Sequence, residues 1–263
     1  MASEAFVYVG TNSLRGSKGI YTLRLDCETG AMEIVGTTPA ENAAYLCLPR
    51  SHTALYAVIE SLEYEGKAGG GVAAYELAGG IPRPLNRLYA EGGWPCHISL
   101  SHEEKEAYVS VFRNGLWQSY PIAPDGSLSP ARVTKRHGEP NGRPSHIHAA
   151  IPSPDGKYAV VADCGMDRVY LYDAQNGGLV DEVRFPEDSG PRQLVFSADH
   201  RFLYLLTEAS CDLFCMKYLP QAQNKLRIIQ RISTLRADGY EGKNYGGGLH
   251  FHGFLHGRRG LDV

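Results

Sequence analysis

Several polar side chains stand at matching places along this chain, and their types suit proton transfer and the holding of anions. His146 and His148 open HIHAAIPSPDG, His97 lies in WPCHISL, Arg192 follows Gly190-Pro191, and Glu60 and Glu208 close the apolar runs LYAVIE and LYLLTE. A histidine titrating near 6.5 exchanges protons at neutral pH, and an arginine stabilises a developing oxyanion or grips a phosphate. His148 is therefore read as a general base, Arg192 as the cation facing an oxyanion or phosphate, and Glu208 as the carboxylate that orients His148 or a water. Only one of His146 and His148 is expected to line a pocket, and His148 is favoured. Glu60 and His97 occupy comparable strand-end or turn positions, where they either contact substrate or pack their own unit. Asp163 either contacts substrate or braces its loop with Arg168. Each residue also has a plainer reading: Arg192 sits in a turn and suits a solvated or salt-bridged surface position, and Glu208 suits a pair with a neighbouring unit.

Other chemistries find less support. No GxSxG elbow occurs, and Ser145 beside His146 is too local to build a triad. His146 and His148 lack an evident third metal ligand. Gly69, Gly70 and Gly71 are followed by no GK[ST], so they read as a loop before the strand GVAAYEL rather than a phosphate cradle. No metal and no cofactor is implied.

Residues so far apart in sequence need a scaffold that gathers them, and the chain supplies a repeat. Apolar runs centred on Tyr8, Tyr56, Tyr108, Tyr158 and Tyr204 follow one another at intervals of 48, 52, 50 and 46 residues. Most follow turn-rich stretches such as PSPDGKY and FSADHRFLY, and each is followed by two further apolar arms, several joined by Asp, Asn and Gly. Each unit thus reads as four short antiparallel strands, and no helical period intervenes. A four-stranded sheet cannot bury both faces alone, so the units are expected to stack radially as the blades of a β-propeller. Five complete blades and the start of a sixth, NYGGGLHF at 244–251, are expected within one domain spanning 1–263. The segment 252–263, HGFLHGRRGLDV, departs from the pattern. The first and last sheets are then expected to present unpaired apolar faces. In such a fold the inner strand of each blade lines a central channel, which would bring His148, Arg192 and Glu208 to one mouth.

Composition narrows the partners. The 30 glycines and 15 prolines suit many turns, and 26 basic against 29 acidic residues give a net charge of −3. That balance offers no general attraction for nucleic acid or anionic membranes. No basic and apolar leader and no run of about 18 apolar residues is present, so a cytosolic protein is expected. The six cysteines show no CxxC pair or zinc spacing and are expected to be reduced and buried.

The motifs together resemble the seven-bladed propeller lactonases typified by bacterial 6-phosphogluconolactonase, over almost the whole chain to about Leu249. YVGTNSLRGSKGIYTLRLDCETGAME is similar to that family's opening blade. LYAVIE and WPCHISL resemble its second-blade strand end and its Pro-Cys-His segment. HIHAAIPSPDGKYAVVADCGMDRVYLYD is similar to its His-x-His, Pro-Asp-Gly and Asp-x-Gly-x-Asp-Arg run, and GPRQLVFSADHRFLYLLTE to its Gly-Pro-Arg followed by a strand-end Glu. The resemblance implies hydrolysis of a sugar lactone, 6-phospho-D-glucono-1,5-lactone of the pentose phosphate route, without a cofactor. A muconate-type lactone cycloisomerase and an inactive binding propeller are the competing readings. VSVFRNGLW replaces the family's usual Asn-Tyr and glycines, and Thr207-Glu208 its usual Asn-Glu. The arginine expected in the sixth blade has no match, since the context of Arg258 and Arg259 differs.

Overall fold

The computed structural model describes residues 3–13, 16–138, 142–235 and 242–250; segment 252–263, with Arg258 and Arg259, lies outside the described residues. Five antiparallel sheets follow one another in chain order, with no α-helix among the described residues. The first holds β1 (Glu4–Val9), β2 (Gly19–Asp26) and β3 (Met32–Pro39). The second holds β4 (Leu46–Cys47), β5 (Ala54–Ile59), β6 (Glu63–Tyr64), β7 (Lys67–Ala78) and β8 (Ile81–Glu91). The third runs β9 (Pro95–Leu100), β10 (Glu106–Val111), β11 (Leu116–Pro121) and β12 (Val133–Arg136). The fourth runs β13 (Ile147–Pro152), β14 (Tyr158–Asp163), β15 (Arg168–Asp173) and β16 (Leu179–Arg184). The fifth runs β17 (Pro191–Phe196), β18 (Phe202–Thr207), β19 (Asp212–Tyr218) and β20 (Leu226–Ser233). These are propeller blades.

The repeated tyrosine marks a fixed place in the blade. Tyr56, Tyr108, Tyr158 and Tyr204 lie on β5, β10, β14 and β18, the second strand of their sheets, whereas Tyr8 lies on β1, the first of three. The first sheet therefore has no counterpart of β4, β9, β13 and β17 among the described residues, one strand fewer than its repeat suggests. Those four first strands pack side by side, each against the next. They are the inner strands.

The core lies between blades, which explains why the second strands are apolar throughout instead of alternating. Every residue of β5 is buried. Leu55, Ala57 and Ile59 face Ile20 of the first sheet, while Tyr56 and Val58 face Ile98 and Val109 of the third. Trp117 fills the next interface against Tyr108 and Tyr172, at ring distances of 5.8 and 5.5 Å. Exposed apolar side chains gather on the first and fifth sheets, where Met32, Ile34, Ile229 and Ile232 are 62%, 61%, 48% and 49% exposed.

Two expectations are corrected here. Gly69, Gly70 and Gly71 are no loop; they are part of β7, paired with Glu91, Ala90 and Tyr89 of β8. Close approach explains the residue type, since a Cβ on Gly70 would come within 2.3 Å of the Pro95 ring, and Gly69 takes a φ of +148°. The six cysteines are unpaired, but Cys27 is exposed, in the turn that follows β2. No helix of the described residues is long and apolar enough to cross a membrane.

Candidate active site

A backbone register repeated in four blades places the candidate residues. The N–H groups of Glu60, Phe112, Cys164 and Glu208 donate to the carbonyls of Asn42, Trp94, His146 and Gly190, each 18 residues earlier, at 2.9, 3.0, 2.9 and 2.6 Å. Glu60, Phe112, Cys164 and Glu208 are thus equivalent positions, each just past the second strand of its blade. The inner strands carry a second equivalence. Pairing of β9 with β10 skips Cys96, that of β13 with β14 skips His148, and that of β17 with β18 skips Arg192. Each is the extra residue of a β-bulge, a device that re-aims a side chain out of the pleat.

These bulges bring His148 and Arg192 to one carboxylate. Glu208 Oε2 accepts a hydrogen bond from Arg192 Nε at 2.8 Å and lies 3.8 Å from His148 Nε2. Arg192 Nη1 donates to the carbonyl of Gly247 at 2.5 Å, and Gly246 N–H donates to the Glu208 carbonyl at 2.8 Å, so the segment after the fifth blade closes one side. Of the two plainer readings of Arg192, the salt-bridged one fits: it forms a half-buried ion pair with Glu208. His148 is 8% exposed, and its Nδ1 is a buried nitrogen without a hydrogen-bond partner among the described residues. Burial first, and Arg192 second, push its pKa down to about 4, well below the 6.5 assumed from the sequence. The ring is therefore neutral at neutral pH, the form that can accept a proton.

The two histidines do not part as expected. Residues two apart in extended chain share a face, and both rings contact Phe112: His146 stacks on it at 4.4 Å with 5° between planes, and His148 meets its edge at 5.7 Å. His146 Nδ1 lies 3.1 Å from the Phe112 carbonyl, which makes that nitrogen the donor and fixes the ring. Phe112 is a site residue that sequence reasoning passed over, although its place in the departing VSVFRNGLW run and its equivalence to Glu208 mark it.

His97 joins the cluster from β9. It is 4% exposed, its ring stands 4.6 Å from that of Tyr45, and its Nδ1 has no hydrogen-bond partner among the described residues. Burial first, then the charges of His148, Arg192 and His250, push its pKa down to about 3. His97 lies behind the wall rather than on its surface. Glu60 is half-buried, and burial raises its carboxyl above the ordinary value. Cys96 has its thiol 3.5 Å from the His148 carbonyl and lies within electrostatic reach of both Glu60 and Arg192.

Asp163 is not a substrate contact, because it is fully buried and every lone pair is used. Oδ1 accepts the N–H groups of His146, Gly165 and Met166 at 2.9, 3.1 and 3.1 Å. Oδ2 takes the Ser145 hydroxyl at 2.6 Å and faces His137 Nδ1 at 3.0 Å, and His137 in turn bonds the Tyr172 hydroxyl. Burial pushes this carboxyl up, but the hydrogen bonds from His137, Ser145 and His146 outweigh it and hold it below the usual range. Arg168 is not its partner either; it pairs with Glu182 at 2.8 Å. Asp163 thus positions the turn from which His148 emerges. Asp163→Asn is expected to lower stability by about 1–3 kcal/mol, because an amide cannot accept at both positions; thermal unfolding measures this, and an unchanged midpoint would contradict the role.

Comparison with known proteins agrees with this architecture. The family model described as lactonase, 7-bladed beta-propeller, matches residues 6–256. The 6-phosphogluconolactonase of Bacillus subtilis (strain 168) is 31% identical over 252 residues, covering 92% of this chain and 70% of that protein. Among solved structures, the periplasmic gluconolactonase of Pseudomonas aeruginosa superposes with a TM-score of 0.86 at 27% identity, covering 95% of this chain and 73% of that one. A protein from Lactobacillus plantarum superposes at 0.79, with 27% identity over 90% and 69% of the two chains.

Proposed function

Since the chain belongs to the seven-bladed β-propeller lactonase family, we propose that it hydrolyses a sugar lactone, with 6-phospho-D-glucono-1,5-lactone of the oxidative pentose phosphate route as substrate. The observation that carries this reading is the single Glu208 oxygen shared by Arg192 at 2.8 Å and His148 at 3.8 Å. Lactone opening needs a water made nucleophilic and a place for the charge that builds on the carbonyl oxygen. His148, neutral at pH 7, takes the proton of the attacking water. Arg192 faces the oxyanion or the substrate phosphate, and Glu208 fixes the guanidinium while standing 3.8 Å from the imidazole. Support for an anionic substrate comes from Arg192, whose positive charge, after burial, opposes protonation of both His148 and His97. An anion bound there offsets that charge. The six unpaired cysteines favour a reducing compartment, so the site of action is proposed to be the cytoplasm.

Purified protein assayed on 6-phosphogluconolactone, D-glucono-1,5-lactone and a muconolactone, each corrected for spontaneous opening, tests the proposal. The phosphorylated lactone is expected to turn over with the highest kcat/KM, and Arg192→Gln to remove that preference. A protein that opens neither sugar lactone would overturn the reading.

A further inference from the structure

Collapse of the tetrahedral intermediate expels an alkoxide, which needs a proton, and His148 has by then only the proton it took from water. The blade register offers a second carboxyl. Glu60 and Glu208 occupy the same position of the second and fifth blades, each fixed by the N–H bond to the carbonyl 18 residues earlier. Their surroundings differ. Glu208 is salt-bridged to Arg192, whereas the carboxyl of Glu60 has no hydrogen-bond or ion-pair partner among the described residues. It is half-buried, and Cys96 of β9, a thiol that burial keeps protonated, lies within electrostatic reach of both Glu60 and Arg192. Holding an unpaired carboxylate in such a place is costly, and a carboxylic acid there is a proton donor.

We infer that Glu60 is the general acid that protonates the leaving ring oxygen of the lactone. The inference rests on the lactonase reading. The step balances as follows. An O–H bond of water breaks, its oxygen bonds to the lactone carbonyl carbon, and the proton goes to His148. The bond from that carbon to the ring oxygen then breaks as the ring oxygen takes the Glu60 proton, leaving a hydroxy acid. Transfer of the His148 proton through channel water to the Glu60 carboxylate restores both groups. Burial raises the Glu60 carboxyl above its ordinary value, the direction that favours the donor form.

The test compares Glu60→Gln with the full-length wild type on two probes, D-glucono-1,5-lactone, which leaves as an aliphatic alkoxide, and dihydrocoumarin, which leaves as a phenol of pKa about 10. Loss of a general acid is expected to lower kcat on the sugar lactone about 100-fold with little change in KM. The loss on dihydrocoumarin is expected to be smaller by about tenfold or more, because a phenolate departs without full protonation. A pH profile on the sugar lactone adds a second readout: wild-type kcat falls as pH rises through the Glu60 pKa, and the glutamine variant lacks that limb. Burial is what raises the Glu60 carboxyl, and the titratable group within its electrostatic reach is Cys96 of β9. Equal losses on both probes, or an undiminished rate on the sugar lactone, would overturn the inference. If His148→Ala is inactive while Glu60→Gln keeps the wild-type rate, only this inference fails; if the wild type opens no sugar lactone, the lactonase reading itself fails.

Discussion

Replacing His148 with alanine lowers the rate of lactone hydrolysis about 10²–10⁴-fold, the range over which a positioned general base acts. The size follows from how little else in the channel can take its place. His146 is bound through Nδ1 to the Phe112 carbonyl, and His97 is buried, only 4% exposed. Glu208 already accepts from Arg192. The ring also fills space against the edge of Phe112, so a control is needed for simple loss of packing. Imidazole added to the alanine variant should restore part of the rate, since the vacated space is that of an imidazole ring; a misfolded variant would gain nothing. The acid limb of wild-type kcat/KM should report a group near 4, and Arg192→Gln should move that limb upward, because Arg192 is the charge that opposes protonation of His148. An alanine variant as fast as the wild type would remove His148 from the mechanism.

Acid is expected to destabilise the protein well before its carboxylates titrate. His97 and His148 are held neutral in the fold, at about 3 and about 4, whereas in the unfolded chain each titrates near 6.5. Below 6.5 the unfolded state therefore binds more protons than the folded state, so stability falls as pH falls, by up to roughly 1.4 kcal/mol per pH unit for each histidine. The fall continues to about pH 4, where His148 begins to protonate in the fold. Asp163 works in a separate window, since its carboxyl is held below the usual value and its contribution is lost only beneath 3.8. Urea unfolding at pH 7 and pH 5 isolates the histidines. His97→Gln should remove about half of the difference between the two pH values, and a variant with the wild-type dependence would show that burial of His97 carries no such cost. An anion bound at Arg192 should reduce the His148 share.

Much of the scaffold was legible from residue order because blades are made by short-range interactions. A turn and the apolar run after it lie within about ten residues, and five spaced tyrosines were enough to locate the second strand of four sheets and the first strand of the other. His148, Arg192 and Glu208 were legible as a set because a radial repeat puts equivalent positions on one channel. Gly69 to Gly71 misled because a glycine demanded by a packed proline ring and one demanded by a loop look the same in sequence. Asp163 and Arg168 misled for a related reason: they stand opposite each other across β14 and β15, yet strand pairing does not say which side chains bond.

What the chain determined by itself was therefore the blade, its period and the types of group that could meet at its centre, since these rest on turns and apolar runs within a single unit. The tertiary structure decided how those groups act. The bulges at Cys96, His148 and Arg192 arise from pairing with a second strand, and the shared oxygen of Glu208 joins the fourth blade to the fifth. The neutral state of His148 and the raised pKa of the Glu60 carboxyl depend on burial by blades about fifty residues away. Dielectric surroundings and ion pairs are properties of neighbours in space, and no local pattern of residues encodes them.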